Sequence, residues 1–194
     1  MLRLLALLMI SLATSVPALA HLDAGDHGSL LAGLTHPPSG ADHVLAMITV
    51  GIWATLMGGR AVWLVPATFV AAMMAGYVAA INGFALPMVE PGVLASVVVL
   101  GLLAALAIDI PIAAGMLVVA IFAVFHGFAH GAEVGSAGVW TFATGFALST
   151  AVLHAVGVGA SIAITRMFGA ETGRTATRTV GAAAAVGGLL MAFT

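Results

Sequence analysis

Apolar stretches, separated by short breaks rich in glycine, proline and charged residues, run through most of the chain. They are longer than buried strands, and most approach the roughly 20 residues with which a helix crosses a bilayer. The pattern therefore predicts an all-α integral membrane protein with a single polytopic domain over residues 21–194. Its six transmembrane helices are expected at residues 42–57, 61–81, 93–108, 112–131, 138–165 and 179–194.

The segments between these helices carry residues that end helices. Two prolines follow His36 directly, and proline lacks the backbone N–H group that continues a helix. We therefore expect the chain to break there and a new helix to begin near residues 39–42. The polar segment 166–178 is expected to be a loop before the last helix.

The first 20 residues are typical of a secretory signal peptide. Arg3 precedes a short apolar run, and Ala18-Leu19-Ala20 resembles a cleavage site. An uncleaved first transmembrane helix is the alternative, although the run is short for a span. Cleavage would expose the α-amine of His21, which can chelate a metal together with its imidazole. The segment that follows is either a solvated polar tail or an outer capture site formed by His21, Asp23 and His27.

Composition and charge narrow the class of protein. Hydrophobic residues make up 62% of the chain and charged residues 6%, whereas a soluble domain has about 25% charged residues. A net charge of −2 on so few charged side chains gives nucleic-acid binding no electrostatic basis. The chain has no cysteine, which excludes disulfides, thiolate metal sites and cysteine nucleophiles. It also has no glycine-rich nucleotide-binding loop, so we predict no ATP hydrolysis.

The arginines predict the orientation of the chain. If the N-terminus is secreted, the loops after the first and fifth spans face the cytoplasm. All four arginines beyond the signal peptide lie in these loops, as the positive-inside rule expects: Arg60, Arg166, Arg174 and Arg178. We therefore predict a multi-pass protein of the bacterial inner membrane whose mature N-terminus is periplasmic.

The fourth predicted span ends in a group of metal-binding residue types. His126 and His130 are four residues apart and Glu133 is three further on, so a helix places all three on one face. Neutral imidazole and carboxylate groups are suitable ligands for nickel, cobalt, zinc or iron. Ionisable side chains in a membrane segment are costly and usually functional. This face is therefore a candidate metal site.

A second group lies at the start of the first predicted span, in His36, Asp42 and His43. This span runs inward and the fourth runs outward, so both groups are expected near the outer face. His154 lies midway along the fifth span, deeper in the membrane. Each half of three spans begins with a histidine-bearing helix, which is compatible with a 3+3 inverted repeat.

Each of these residues also has a structural interpretation. His154 could be a hydrogen-bonded packing residue, and Asp42 could cap the N-terminus of its helix. His126 and His130 could form a hydrogen-bonding face between helices. The sequence leaves these alternatives open.

Two motifs resemble those of the HupE/UreJ family of nickel permeases. The first runs from His36 through Pro37-Pro38-Ser39-Gly40-Ala41-Asp42 to His43 and on to Met47, and the second is Phe125-His-Gly-Phe-Ala-His-Gly131 followed by Glu133. The resemblance covers nearly the whole chain. By motif position, it implies a metal role for His36, Asp42, His43, His126, His130 and Glu133. His154 matches the family's later histidine less closely.

The resemblance implies a secondary transporter that imports Ni²⁺ or Co²⁺ to supply hydrogenase or urease maturation. The metal would then be the cargo, with no prosthetic group, and the partners would be a divalent metal ion and membrane lipid. The chain would not be an enzyme. A homo-oligomer and an accessory protein are both compatible with the sequence.

Two other classes fit the same residues. An intramembrane zinc hydrolase would hold zinc with three histidines and use Asp42 or Glu133 to activate water. A metal-binding sensor or accessory membrane protein would bind the ion without moving it. The staggered depth of the histidines favours transport over both.

Overall fold

The computed structural model describes residues 29–134 and 138–193. The predicted signal peptide and the predicted capture residues His21, Asp23 and His27 lie outside these ranges. The described residues form helices without strands. We number them α1 Leu30–Ser39, α2 Ala41–Met57, α3 Ala61–Ile81, α4 Val89–Ala105, α5 Ile112–Glu133, α6 Val139–Phe168 and α7 Ala170–Met191.

Among the described residues, three helices are long and apolar enough to cross a membrane by themselves, namely α3, α5 and α6. The pair α1 and α2 meets the same criterion together, although the two helices are bent by 83° at Gly40. Helix α4 is apolar but has only 17 residues, and α7 begins with a polar half. The chain is thus an all-helical, multi-pass membrane protein.

The predicted start of a new helix near residues 39–42 is confirmed, since α2 begins at Ala41, but Pro37 and Pro38 lie inside the last turn of α1 and do not end it. Two serine hydroxyls satisfy backbone groups at the ends of α1. The Ser29 hydroxyl accepts from the backbone N–H of Ala32 at 2.9 Å, and the Ser39 hydroxyl donates to the carbonyl of His36 at 2.7 Å. The break comes only at Gly40, whose backbone is extended.

The predicted loop 166–178 is also wrong. Helix α6 continues to Phe168, and α7 starts at Ala170 after a single interruption at Gly169. Gly169 has φ +88°, a conformation in which glycine pays no steric penalty and other residues do. The polar residues beyond it form the first turns of α7. Helix α4 likewise starts earlier than predicted, at Val89, because Pro91 is tolerated in the first turn.

Glycines allow the helices that carry the histidines to pack closely. A Cβ atom added at Gly127 of α5 would collide with the backbone carbonyl of Met73 in α3. One added at Gly51 of α2 would collide with the carbonyl of His154 in α6. Because small residues let backbones approach in a membrane, these contacts hold α5 against α3 and α2 against α6.

Candidate metal centre

Three histidines from three helices meet at one end of the bundle. His36 of α1, His43 of α2 and His130 of α5 each offer one ring nitrogen, and these nitrogens lie within 4.8 Å of one another. The Nε2 atoms of His43 and His130 face each other at 2.5 Å. Both side chains are buried, with 7% and 5% exposed, respectively. We call His36, His43 and His130 the outer cluster.

The bend between α1 and α2 places His36 in the outer cluster. A straight continuation of the helix would carry His36 away from α5, whereas the observed bend brings its ring centroid to 4.3 Å from that of His130. Gly40 permits this geometry. A Cβ atom there would lie 2.8 Å from Asp42 Oδ1 and 2.9 Å from His43 Nδ1, which is too close for either contact.

Asp42 orients His43. Its Oδ1 atom lies 2.8 Å from His43 Nδ1. Because a carboxylate only accepts hydrogen bonds, Nδ1 carries the proton and the lone pair is on Nε2, the atom that faces His130. Carboxylate–histidine pairs of this kind are common next to bound metals. Asp42 does not cap its helix, since Gly40 occupies the N-cap position.

The variant Asp42→Asn is expected to bind Ni²⁺ roughly 10- to 100-fold more weakly, as do variants of other carboxylates that orient metal-binding histidines. The amide can still hydrogen-bond to Nδ1, but it no longer favours the correct tautomer or raises the basicity of the ring. Isothermal titration of purified protein with Ni²⁺ would measure this change. Native affinity in the variant would show that Asp42 does not act through His43.

His126 lies next to the outer cluster, with its ring centroid 5.1 Å from that of His43. Its Nε2 atom lies 2.8 Å from Ser96 Oγ, and the same hydroxyl donates to the carbonyl of Val93. Since the hydroxyl hydrogen is already used, His126 Nε2–H must be the donor to Ser96. The lone pair is therefore on Nδ1, which is buried and without a hydrogen-bond partner in the described part of the chain.

His154 contacts α2 at Met47, one turn beyond His43. Its Nδ1 atom is 2.7 Å from the carbonyl oxygen of Met47, an acceptor only, so Nδ1 carries the proton. The Nε2 atom holds the lone pair and is buried without a hydrogen-bond partner among residues 29–134 and 138–193. His154 is thus hydrogen-bonded, as its packing interpretation predicted, while one nitrogen stays available as a ligand.

Glu133 has a peripheral position. Its side chain is 70% exposed, and Oε2 lies 3.7 Å from His130 Nδ1, which is too far for a hydrogen bond. The carboxylate therefore contributes charge at the rim of the outer cluster. A modest change of rotamer would bring it to His130 or to an arriving cation.

The residues that contact the histidines and that sequence reasoning missed include Phe142 and Phe146 at the outer cluster, and Ser96 and Phe69 deeper in the bundle. Ser96 fixes the tautomer of His126, and the Phe69 ring lies against both His126 and His154. Ser96 could have been singled out in the sequence, because it is the only polar residue in α4 after Glu90. Phe69 could not, since an aromatic residue in an apolar helix usually belongs to the hydrophobic core.

The donor set is suited to a borderline transition-metal ion. It consists of neutral imidazoles, with carboxylates beside them and no thiolates, a combination that favours Ni²⁺, Co²⁺, Zn²⁺ or Cu²⁺ over Mg²⁺ and Ca²⁺. Calcium and magnesium prefer ligand shells made of oxygen atoms alone. The outer cluster is thus compatible with a divalent transition-metal ion, and its donor types are not those that the alkaline-earth ions prefer.

The chain is similar to known proteins over nearly its whole length. The chain is 43% identical over 178 residues to Protein HupE of Rhizobium leguminosarum bv. viciae, and the match covers 91% of each chain. No solved structure matches it. The family described as HupE / UreJ protein matches residues 7–191, which include every described helix. The chain therefore belongs to the HupE/UreJ family.

Proposed function

We propose that the protein is a secondary transporter that imports Ni²⁺, or Co²⁺ as a second cargo, across the bacterial inner membrane. The metal would supply the maturation of hydrogenase or urease, and the chain itself would catalyse no reaction. The observation that carries this proposal is the arrangement of histidines. They form a series that starts with the outer cluster and continues through His126 toward His154, instead of a single closed site.

The tautomers support this function. His43, His126 and His154 each donate one N–H to a fixed acceptor, which leaves the other nitrogen with a lone pair. Fixed neutral imidazoles can receive a dication without first losing a proton. A series of such rings at different depths lets the ion exchange one ligand at a time, so that it is never without ligands in the membrane interior.

The proposed orientation supplies the driving force. With the N-terminus periplasmic, the outer cluster faces the periplasm, and the cation moves toward the negative side of the membrane. The potential contributes about 2.3 kcal/mol per charge per 100 mV, or about 4.6 kcal/mol for a dication. Protons compete with metal for imidazole, so proton exchange is a second source of coupling.

The proposal includes the predicted features that lie outside the described residues. A cleaved signal peptide would leave His21 at the periplasmic N-terminus, where His21, Asp23 and His27 would capture the hydrated ion. The ion would then pass to the outer cluster, close to Asp42 and Glu133, whose negative charges offset the cost of holding a dication in a low dielectric. Six spans in an inverted 3+3 arrangement complete the proposed topology.

Accumulation of radiolabelled nickel in cells without nickel importers of their own tests this function. Cells that express the chain should accumulate nickel above the empty vector, and excess Co²⁺ should suppress uptake whereas excess Mg²⁺ should not. The membrane content of the protein has to be measured in parallel. Correct insertion without uptake would contradict transport, and assays of purified protein for metal content and hydrolysis would then distinguish a binding protein from a zinc hydrolase.

A further inference from the structure

The Phe69 ring packs against two histidines of the series. Its centroid is 5.6 Å from the His126 ring and 5.0 Å from the His154 ring, and the side chain is completely buried. Phe69 belongs to α3, whereas the two histidines come from α5 and α6. The ring therefore contacts both the part of the series next to the outer cluster and its deepest member.

The two histidines that Phe69 contacts have unused ligand atoms. His126 Nδ1 and His154 Nε2 are both buried and without hydrogen-bond partners in the described ranges, while the opposite nitrogen of each ring is held by Ser96 or Met47. A buried acceptor that stays unpaired is destabilising. Such atoms in a folded protein call for an explanation, and a ligand that visits them transiently is one.

An apolar ring that packs against both histidines offers no ligand to a cation that passes from one to the other. The face of the ring supplies no lone pair, and its volume excludes water that could accompany the ion. The side chains around Phe69 can nevertheless change their packing. Met73 lies one turn further along α3, and its thioether accepts a hydrogen bond from Thr150 at 3.6 Å. Methionine is flexible and adapts to changed packing.

We propose that Phe69 is the barrier residue of the pathway, and that metal passes from His126 to His154 only when the Phe69 side chain moves out of the space between them. This inference rests on the proposed transport function. In the resting arrangement, the ring keeps the inner part of the pathway dry and closed to other ions. The outer cluster then selects the metal before the barrier opens.

The absence of native cysteine allows a direct test with single introduced thiols. The variant His154→Cys reports access to the inner position, through its rate of reaction with silver ions, a small thiol-specific cation. Unreacted thiol is counted afterwards with a maleimide in denaturant. The variant Phe84→Cys is the accessible reference, because Phe84 is 70% exposed in the loop that follows α3. That loop lies at the same end as the outer cluster, since Gly131 packs on Tyr77 and Ala80.

Silver is added on the side from which the thiol at position 84 reacts. With Phe69 present, the thiol at position 154 should react slowly. In Phe69→Ala, the rate at position 154 should rise by about tenfold or more, because access no longer waits for local opening. If Phe69→Ala does not insert into the membrane, Phe69→Leu is tested instead. A smaller increase in the reaction rate at position 154 is expected for this variant.

Phe122→Ala is the control for loss of a phenyl ring, because Phe122 of α5 is partly buried against the same core and has no ring contact to a histidine among the described residues. This variant should leave the rate at position 154 unchanged. Equal rates with and without Phe69, or an equal increase in Phe122→Ala, would overturn the proposal. The labelling needs no nickel, so a failure of nickel uptake and a failure of the barrier give different results.

Discussion

Replacing His43 with alanine is expected to reduce nickel uptake to the level of the empty vector. His43 contacts every other histidine near the outer cluster, with ring centroids 4.6 Å from His130, 5.1 Å from His126 and 6.0 Å from His36. Its loss removes a ligand and also interrupts the series between the outer cluster and His126. Nickel affinity should fall by more than about 100-fold, since loss of an orienting partner alone costs roughly 10- to 100-fold.

The effect of His43→Ala has to be separated from a loss of folded protein. The control is Asn82→Ala, which removes an exposed polar side chain at the same end of the bundle, where its amide donates only to the carbonyl of Val78. This variant should insert and transport normally. Uptake at the native rate by inserted His43→Ala would show that the outer cluster is not on the route of the ion.

The variant Gly127→Ala is expected to destabilise the protein by about 1–3 kcal/mol and to impair metal binding at the same time. The added methyl group would collide with the backbone carbonyl of Met73. No change of rotamer relieves a collision with the backbone, so α5 must move away from α3. Gly127 lies between His126 and His130, and such a movement shifts both histidines relative to α2. Thermal unfolding in detergent, with and without Ni²⁺, measures both effects.

Gly159→Ala provides the matched comparison, because a Cβ atom at Gly159 meets nothing within 4 Å. The same substitution in this open helical position should be neutral, or stabilising by about 0.5–1 kcal/mol, since glycine is unfavourable inside a helix. If the two variants unfold at the same temperature, close packing of α3 on α5 does not limit stability.

Much of the helical architecture could be predicted from the sequence, because apolar runs and glycine breaks are local signals. Helix α3 was predicted with the bounds that the structure shows, 61–81. The errors occurred where local signals conflict with capping and packing. Proline indicated a break after His36, but α1 continues to Ser39 and the break comes at Gly40. Polar residues indicated a loop after Arg166, but a turn at Gly169 was sufficient and the helix resumed.

In the candidate site, too, some features could be predicted from the sequence and others could not. The spacing of His126 and His130 requires that they share a face of any helix, and the order of the helices places His36 and His43 at the same end. No local sequence pattern indicated that Asp42 and Glu133 have different roles. One carboxylate is within hydrogen-bonding distance of its histidine and the other is largely exposed at the rim, because the bend at Gly40 and the end of α5 direct them differently.

By itself, the sequence determined the class of protein, most of the helices and the residue types of the site, because hydrophobicity and helical periodicity act over short distances along the chain. Only the tertiary structure decided which of these residues meet. The outer cluster joins residues 36, 43 and 130, and the Phe69 ring packs against histidines from two other helices. Such contacts depend on glycine-mediated helix packing and on one sharp bend, and neither the distances nor the orientations they impose can be derived from local pattern alone.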